Sequence, residues 1–215
     1  MEISWIGQML EGCKLTVQLF LVTIVVSIPF GLILTFLYTG KNRIIRALVG
    51  FYILVLRGTP LLLQIFFIYF GLPYIPKIGQ HLVIADRFTA GAVAFILNYA
   101  AYFAEIFRGG ILSVDKGQYE AAKVLGINEM QTKFKIVIPQ MFRISLPAVA
   151  NETIILLKDT ALITTLGLSD LLKVTNNIVN RTTNVSAYVV AAAFYLVLSY
   201  ILSVVFKQLE KKSAF

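Results

Sequence analysis

Long apolar runs decide what this chain can fold into. Crossing about 30 Å of hydrocarbon takes roughly 20 mostly apolar residues as a helix, and every backbone N–H and C=O within it must be paired inside the protein. Five stretches reach that length, at about 15–38, 44–70, 88–107, 144–168 and 187–206. Of the 215 residues, 58% are hydrophobic and 14% charged, whereas a soluble domain is about 45–50% apolar. The expected fold class is therefore an all-α integral membrane protein, one transmembrane domain over 1–215 with five transmembrane helices and the lipid bilayer as its solvent.

Orientation follows from the cations, which collect on the cytoplasmic side of membrane proteins. With the N-terminus outside, the inner loops hold Lys41, Arg43, Arg46, Arg108, Lys116, Lys123, Lys133, Lys135, Arg143, Lys207, Lys211 and Lys212. The outer segments hold Lys14, Lys77, Arg87, Lys173 and Arg181. Twelve against five predicts an N-terminus outside and a C-terminus in the cytoplasm, as for a multi-pass protein of the bacterial inner membrane. The net charge of +8 then reports topology, and no aromatic-interleaved basic patch points to nucleic acid.

A single cysteine, Cys13, and a single histidine, His81, leave no internal disulfide, no cysteine metal cluster and no histidine-based site; no metal is expected. The first apolar run lacks a basic leader and is too long for a signal peptide, so it is read as retained. Residues before Leu15 are expected as a short interfacial helix with Trp5 at headgroup level, or as a partly ordered leader.

The longest polar stretch, 108–143, falls on the inner side and is too long to be structureless in a compact protein. Asp115 caps a first short helix that ends at Gly126. Asn128, followed by Gln131, opens a second, and Pro139 marks its end. Glu120, Ala121 and Ala122 lie together on the first helix, where small side chains let another surface approach. A folded inner loop without chemistry of its own reads as a docking element.

That loop carries a resemblance. Glu120-Ala121-Ala122, three residues, Gly126, nine residues, then Ile136-Val137-Ile138-Pro139 resembles the EAA loop of ABC importer permeases, with Ile138 where the family usually has Leu. Arg57-Gly58-Thr59-Pro60 and Leu157-Lys158-Asp159-Thr160-Ala161-Leu162 resemble the polar amino-acid branch (histidine, arginine, lysine, glutamine) of that family. The resemblance implies a type I importer permease in which Glu120, Ala121, Ala122 and Gly126 contact separate ABC ATPase subunits. It also implies a second permease subunit, expected as a homodimer, and an extracytoplasmic amino-acid-binding protein. This chain has no Walker-type phosphate loop; it is expected to be a transport subunit with no enzyme activity and no bound cofactor, ATP and Mg²⁺ belonging to the ATPase partner.

Ionisable residues inside spans are costly and are candidates for function. Glu152 and Asp159 are seven residues apart on one helical face, about 10.5 Å along the axis, and need cations: Lys158, Arg57 or a cationic substrate. Glu152 is the residue expected to face a guanidinium, ammonium or imidazolium, although an interhelical ion-pair network fits the same residues. Around Gly58 and Thr59 the helix is expected to break, with Thr59 as N-cap and Pro60 opening a new segment. The backbone there would take a substrate carboxylate, and Arg57 would add charge; a kink that only shapes packing is the plainer alternative. Asn98 and Tyr102 share a face of the third span and, with Glu105, either line the same cavity or glue helices together. Glu105 and Arg108 equally form an ion pair at the inner end.

The function expected is a permease for polar, cationic amino acids (arginine, histidine or lysine), with a glutamine or neutral permease as the alternative. An ion-coupled secondary transporter would show inverted repeats, and an intramembrane enzyme a nucleophile–base pair; neither is present in the sequence.

Overall fold

A computed structural model describes residues 2–213, and every regular element among them is helical. In chain order these are α1 (Glu2–Tyr38), α2 (Arg43–Gly58), α3 (Leu61–Phe66), α4 (Arg87–Leu112), α5 (Lys116–Val124), α6 (Glu129–Gln131), α7 (Ile138–Asp159), α8 (Leu171–Thr182) and α9 (Ser186–Ser213). Short π or 3-10 stretches extend α3, α6 and α7. Among the described residues three helices are long and apolar enough to cross a membrane, over Trp5–Tyr38, Arg87–Leu112 and Ser186–Lys212. A fourth crossing results if α2 and Leu61–Tyr74, bent by 108°, form one broken span. α7 has 22 residues but carries Arg143, Glu152, Lys158 and Asp159, which sets it apart from the others by composition.

Centrality can be read from burial. The apolar window of α4 is 67% buried and that of α9 only 6%, so α4 is the hub and α9 presents Leu196, Val197, Tyr200 and Ile201 outward. Small residues let α1 and α4 touch. A Cβ on Gly31 would lie 2.7 Å from the Phe103 Cβ, closer than carbon atoms pack, and Ala100, Ala101 and Ala104 alongside are fully buried. The Thr35 hydroxyl lies 2.8 Å from Gly31 O and 2.9 Å from Ala104 O and shares its proton across the two helices. Close backbones with hydroxyl links are how helices associate where lipid is as apolar as leucine.

Two expected boundaries move. The helix over the first fourteen residues is not separate: α1 runs unbroken through 37 residues, about 55 Å at 1.5 Å per residue. Trp5 is buried with Met9 against Leu171, Ile178 and Ala187, so it packs under α8 and α9. The stretch 44–70 breaks after Gly58, where a break is expected, into two helices meeting at a sharp angle. Pro139 does not end the second short helix of the loop; α6 continues through it into α7. In an α-helix the Pro139 ring would strike the carbonyl four residues back. The π turn Thr132–Val137, closed by the Ile138 N–H on Lys133 O, inserts an extra residue and carries the helix past it.

Candidate functional site

The candidate site begins with a missing proton. Pro60 has no N–H, so Leu56 O, which a continuous helix would pair with residue 60, loses its ladder partner. α2 stops at Gly58, the chain is extended at Thr59 and Pro60, and α3 departs at 108°. Side chains refill the vacated bonds. Thr59 Oγ1 donates to Val55 O (2.8 Å). Gln64 Nε2 donates to Leu56 O (2.9 Å) and lies 2.9 Å from Thr59 Oγ1 and 3.1 Å from Thr59 O. Asn98 Nδ2, on α4, donates to Leu56 O (2.9 Å) and to Gln64 Oε1 (3.0 Å). Breaks at membrane depth are tolerated only with such replacements.

The break differs from expectation by one residue. Pro60, not Thr59, occupies the N-cap position, its carbonyl accepting the N–H groups of Leu63 and Gln64. Gly58 belongs to the last turn of α2. The N–H groups of Leu61 and Leu62, in the first turn of α3, have no carbonyl partner among the described residues and so join that of Thr59, which has none either.

A cleft of about 700 Å³ opens at this point, within the size range of small-molecule sites. It brings together Arg57, Gly58 and Thr59 from the break, Asn98 and Tyr102 from α4, and Glu152 and Asp159 from α7. Lys158 and Glu105 are not part of its lining. Lys158 is exposed on another face of α7. Glu105 is held by Arg108 through two hydrogen bonds and has the Arg57 guanidinium 3.9 Å away. Arg57 also lies over the Tyr102 ring, 5.2 Å from its centre. Arg57 thus belongs to an Arg57–Glu105–Arg108 chain, and is not the ion-pair partner of an α7 carboxylate.

The two acids opposite are left differently. Asp159 Oδ2 accepts the Tyr99 hydroxyl at 2.7 Å, and Tyr99 is fixed by burial and by stacking on Phe95, 6.3 Å between centroids. Glu152 has no hydrogen bond among the described residues, and neither acid has a cation within ion-pair distance there. Tyr99 and Gln64 are missing from the sequence expectations. Gln64 could have been found as the one polar residue in the run Leu61–Gly71, one turn beyond the proline whose gap it fills. Tyr99 sits beside Asn98 among other aromatics and has no comparable signal.

The loop over 108–143 folds as its caps dictate. Asp115 accepts the Gly117 N–H at 2.6 Å and starts α5. Its end closes with Ile127 N–H on Ala122 O (2.9 Å) and Gly126 N–H on Lys123 O (3.1 Å), Gly126 lying at φ +70°; this is the paired closure of a Schellman turn. Asn128 accepts the Gln131 N–H at 2.9 Å and opens α6. Glu120, Ala121 and Gly126 are exposed. Ala122 is the correction: at 1% exposure it faces the chain's own interior and is not available to a docking partner. The surface instead offers Val124, Leu125 and Met130, 87%, 74% and 66% exposed, apolar side chains in an otherwise polar loop. Lys41 bridges to Glu129 at 2.9 Å, which raises the lysine's pKa and lowers the glutamate's.

Between α7 and α8, Asp170 is fully buried and caps α8 by accepting the Leu172 and Lys173 N–H groups at 3.1 and 3.0 Å. Burial pushes its carboxyl up to about 6, against the opposing pull of those N–H groups.

Comparison with known proteins agrees with this layout. A Rickettsia conorii permease named for glutamine transport is 37% identical over 203 residues, 94% of this chain and 91% of its own length. The arginine transport system permease protein ArtQ of Bacillus subtilis is 36% identical over 204 residues, 94% of this chain and 91% of its own. A solved structure described as an amino acid ABC transporter with histidines superposes with a TM-score of 0.89 at 32% identity, covering 98% of this chain and 96% of that one. Residues 13–214 match the family pattern, and the chain belongs to the family of binding-protein-dependent transport system inner membrane components.

Proposed function

We propose that this chain is the membrane subunit of an ATP-driven importer of polar amino acids and that its cleft takes a cationic one. ATP hydrolysis resides in separate ABC subunits, and an extracytoplasmic binding protein delivers the substrate. The permease relatives named for glutamine and arginine and the amino acid transporter structure support the substrate class.

The observation that carries the cationic reading is the charge left over in the cleft. Glu105 is shared by Arg57 and Arg108, so three carboxylates (Glu105, Glu152 and Asp159) stand against two guanidinium groups, and Glu152 and Asp159 face the cleft with one tyrosine hydroxyl between them. A carboxylate held away from water without a cation is costly, and an arginine, lysine or histidine side chain supplies one. The substrate α-carboxylate would then lie toward Arg57 and the free Leu61 and Leu62 N–H groups, at the positive end of the helix that starts there. A second reading, glutamine import, is favoured by the relative named for glutamine; an amide can donate to Glu152 without a charge.

Import assays in proteoliposomes containing the permease, its ATPase and its binding protein separate the two. Arginine, lysine or histidine should be imported in preference to glutamine. Glu152→Gln should reduce the arginine-to-glutamine preference by about tenfold or more, since hydrogen bonds to charged groups contribute about 1.5–3 kcal/mol. An unchanged preference in that variant removes Glu152 from the role.

By the same reading the chain spans the bilayer five times, as a single domain, with its N-terminus outside. The apolar knuckle of Val124, Leu125 and Met130 beside Glu120, Ala121 and Gly126 is the surface met by the ATPase, and two permease chains pair as a homodimer.

A further inference from the structure

The cleft depends on an angle, and the angle is fixed by an amide that touches neither wall of charges. Gln64 folds back over the break and spans it: its Nε2 holds Leu56 O at the end of α2 and Thr59 at the corner, while its Oε1 receives Asn98 from α4. Leu56 O in turn accepts two amide donors, Gln64 and Asn98. Three helices are thereby tied at one carbonyl, the one that Pro60 left open. Asn98 is 3% exposed and spends its NH₂ group on this tie.

We infer that Gln64, acting with Asn98, is the positioning residue of the substrate cleft. The clamp sets the direction of α3 relative to α2, and so places Arg57 and the open Leu61 and Leu62 N–H groups opposite Glu152 and Asp159. This inference rests on the cleft being the substrate site, but not on the substrate being a cation. The end of the substrate that the clamp serves, the α-carboxylate, is common to every amino acid, whereas Glu152 addresses the side chain.

The test uses the complete transporter, permease with ATPase and binding protein, in proteoliposomes, with import of radiolabelled arginine and glutamine and ATP hydrolysis measured together. Gln64→Met keeps the length and apolar stem and removes both amide functions. The expected result is a fall of about tenfold or more in amino acid imported per ATP hydrolysed, equal for arginine and glutamine. Asn98→Leu should reproduce it, and the double variant should be no worse than the more affected single one, as for two parts of one device. Import per ATP undiminished in Gln64→Met overturns the inference. So does a loss in which import and ATP hydrolysis fall together with the melting temperature, which is what a merely structural residue gives. If Gln64→Met fails to assemble, Thr59→Val, isosteric and lacking the hydroxyl that Gln64 grips, carries the same expectation at smaller size. A change in the arginine-to-glutamine ratio alone would belong to Glu152 and would count against the clamp. A failure of the cationic reading therefore remains distinct from a failure of this one.

Discussion

Asp170 shows how one buried residue sets a pH dependence. Its carboxyl is raised to about 6 by burial, above the ordinary value near 4 of an aspartate in an unfolded chain. The folded protein therefore binds this proton more tightly than the unfolded one. The stability it contributes is fully present below about pH 4 and is lost as the pH rises through about 6. Two pH units correspond to about 3 kcal/mol at most. Asp170→Asn keeps an oxygen to cap the Leu172 and Lys173 N–H groups and removes the titration. Thermal unfolding in detergent should show wild type losing several degrees relative to Asp170→Asn between pH 4 and 7. A constant gap across that range would contradict the assignment. Among single residues, the charged ones were the legible part of the site. Glu152 and Asp159 announce themselves because charges inside a span are expensive, and both line the cleft. Gln64 and Tyr99 are uncharged and lie in runs that read as apolar, so what makes them matter, a lost N–H at Pro60 and a carboxylate sixty residues away, is not local to them.

At the scale of elements, apolar length marks the spans, while helix ends follow from groups that only three dimensions bring together. Thr59 has the right chemistry for an N-cap, but the hydroxyl is drawn to Val55 O and the cap passes to Pro60. Pro139 has the right chemistry to stop a helix, but one π turn absorbs it. Gly126 follows expectation because its role is local: it lies at φ +70° with open space around its Cα. Alanine there meets no neighbour, yet must adopt a left-handed conformation that costs L-residues about 1–2 kcal/mol. Asparagine visits that region more readily. Gly126→Ala should fray the end of α5 and lower the ATP hydrolysis stimulated by loaded binding protein by about fivefold or more, since 1.4 kcal/mol is a factor of ten. Gly126→Asn should stay within about twofold of wild type. Equal losses in the two variants would mean that side-chain size, not backbone conformation, governs the proposed contact with the ATPase.

For the whole molecule, the open quantity is which way α7 runs, because that fixes the sidedness of everything else. Among the described residues three helices are long and apolar enough to cross, and four if the bent pair is one span; were α7 a span as well, the number would be odd and the termini would fall on opposite sides. α7 spans 22 residues, about 33 Å at 1.5 Å per residue, enough for a hydrocarbon core of about 30 Å. Its charges do not forbid this: Glu152 and Asp159 face the cleft, which satisfies the rule that intramembrane charges turn toward a cavity or a bundle interior. The chain leaves α7 toward α8 at one end and enters it from α5 and α6 at the other, so a crossing by α7 would put α5 and α8 on opposite faces of the bilayer. Cysteines introduced for Lys123 on α5 and Lys173 on α8, in a Cys13→Ala background, report this directly. An impermeant maleimide should label Lys173→Cys in intact cells and Lys123→Cys only after permeabilisation. Labelling of both from one side would mean that α7 does not cross. Reversed labelling would invert the membrane, turning the Val124, Leu125 and Met130 knuckle away from the compartment that holds ATP, and no ATPase could then dock on it.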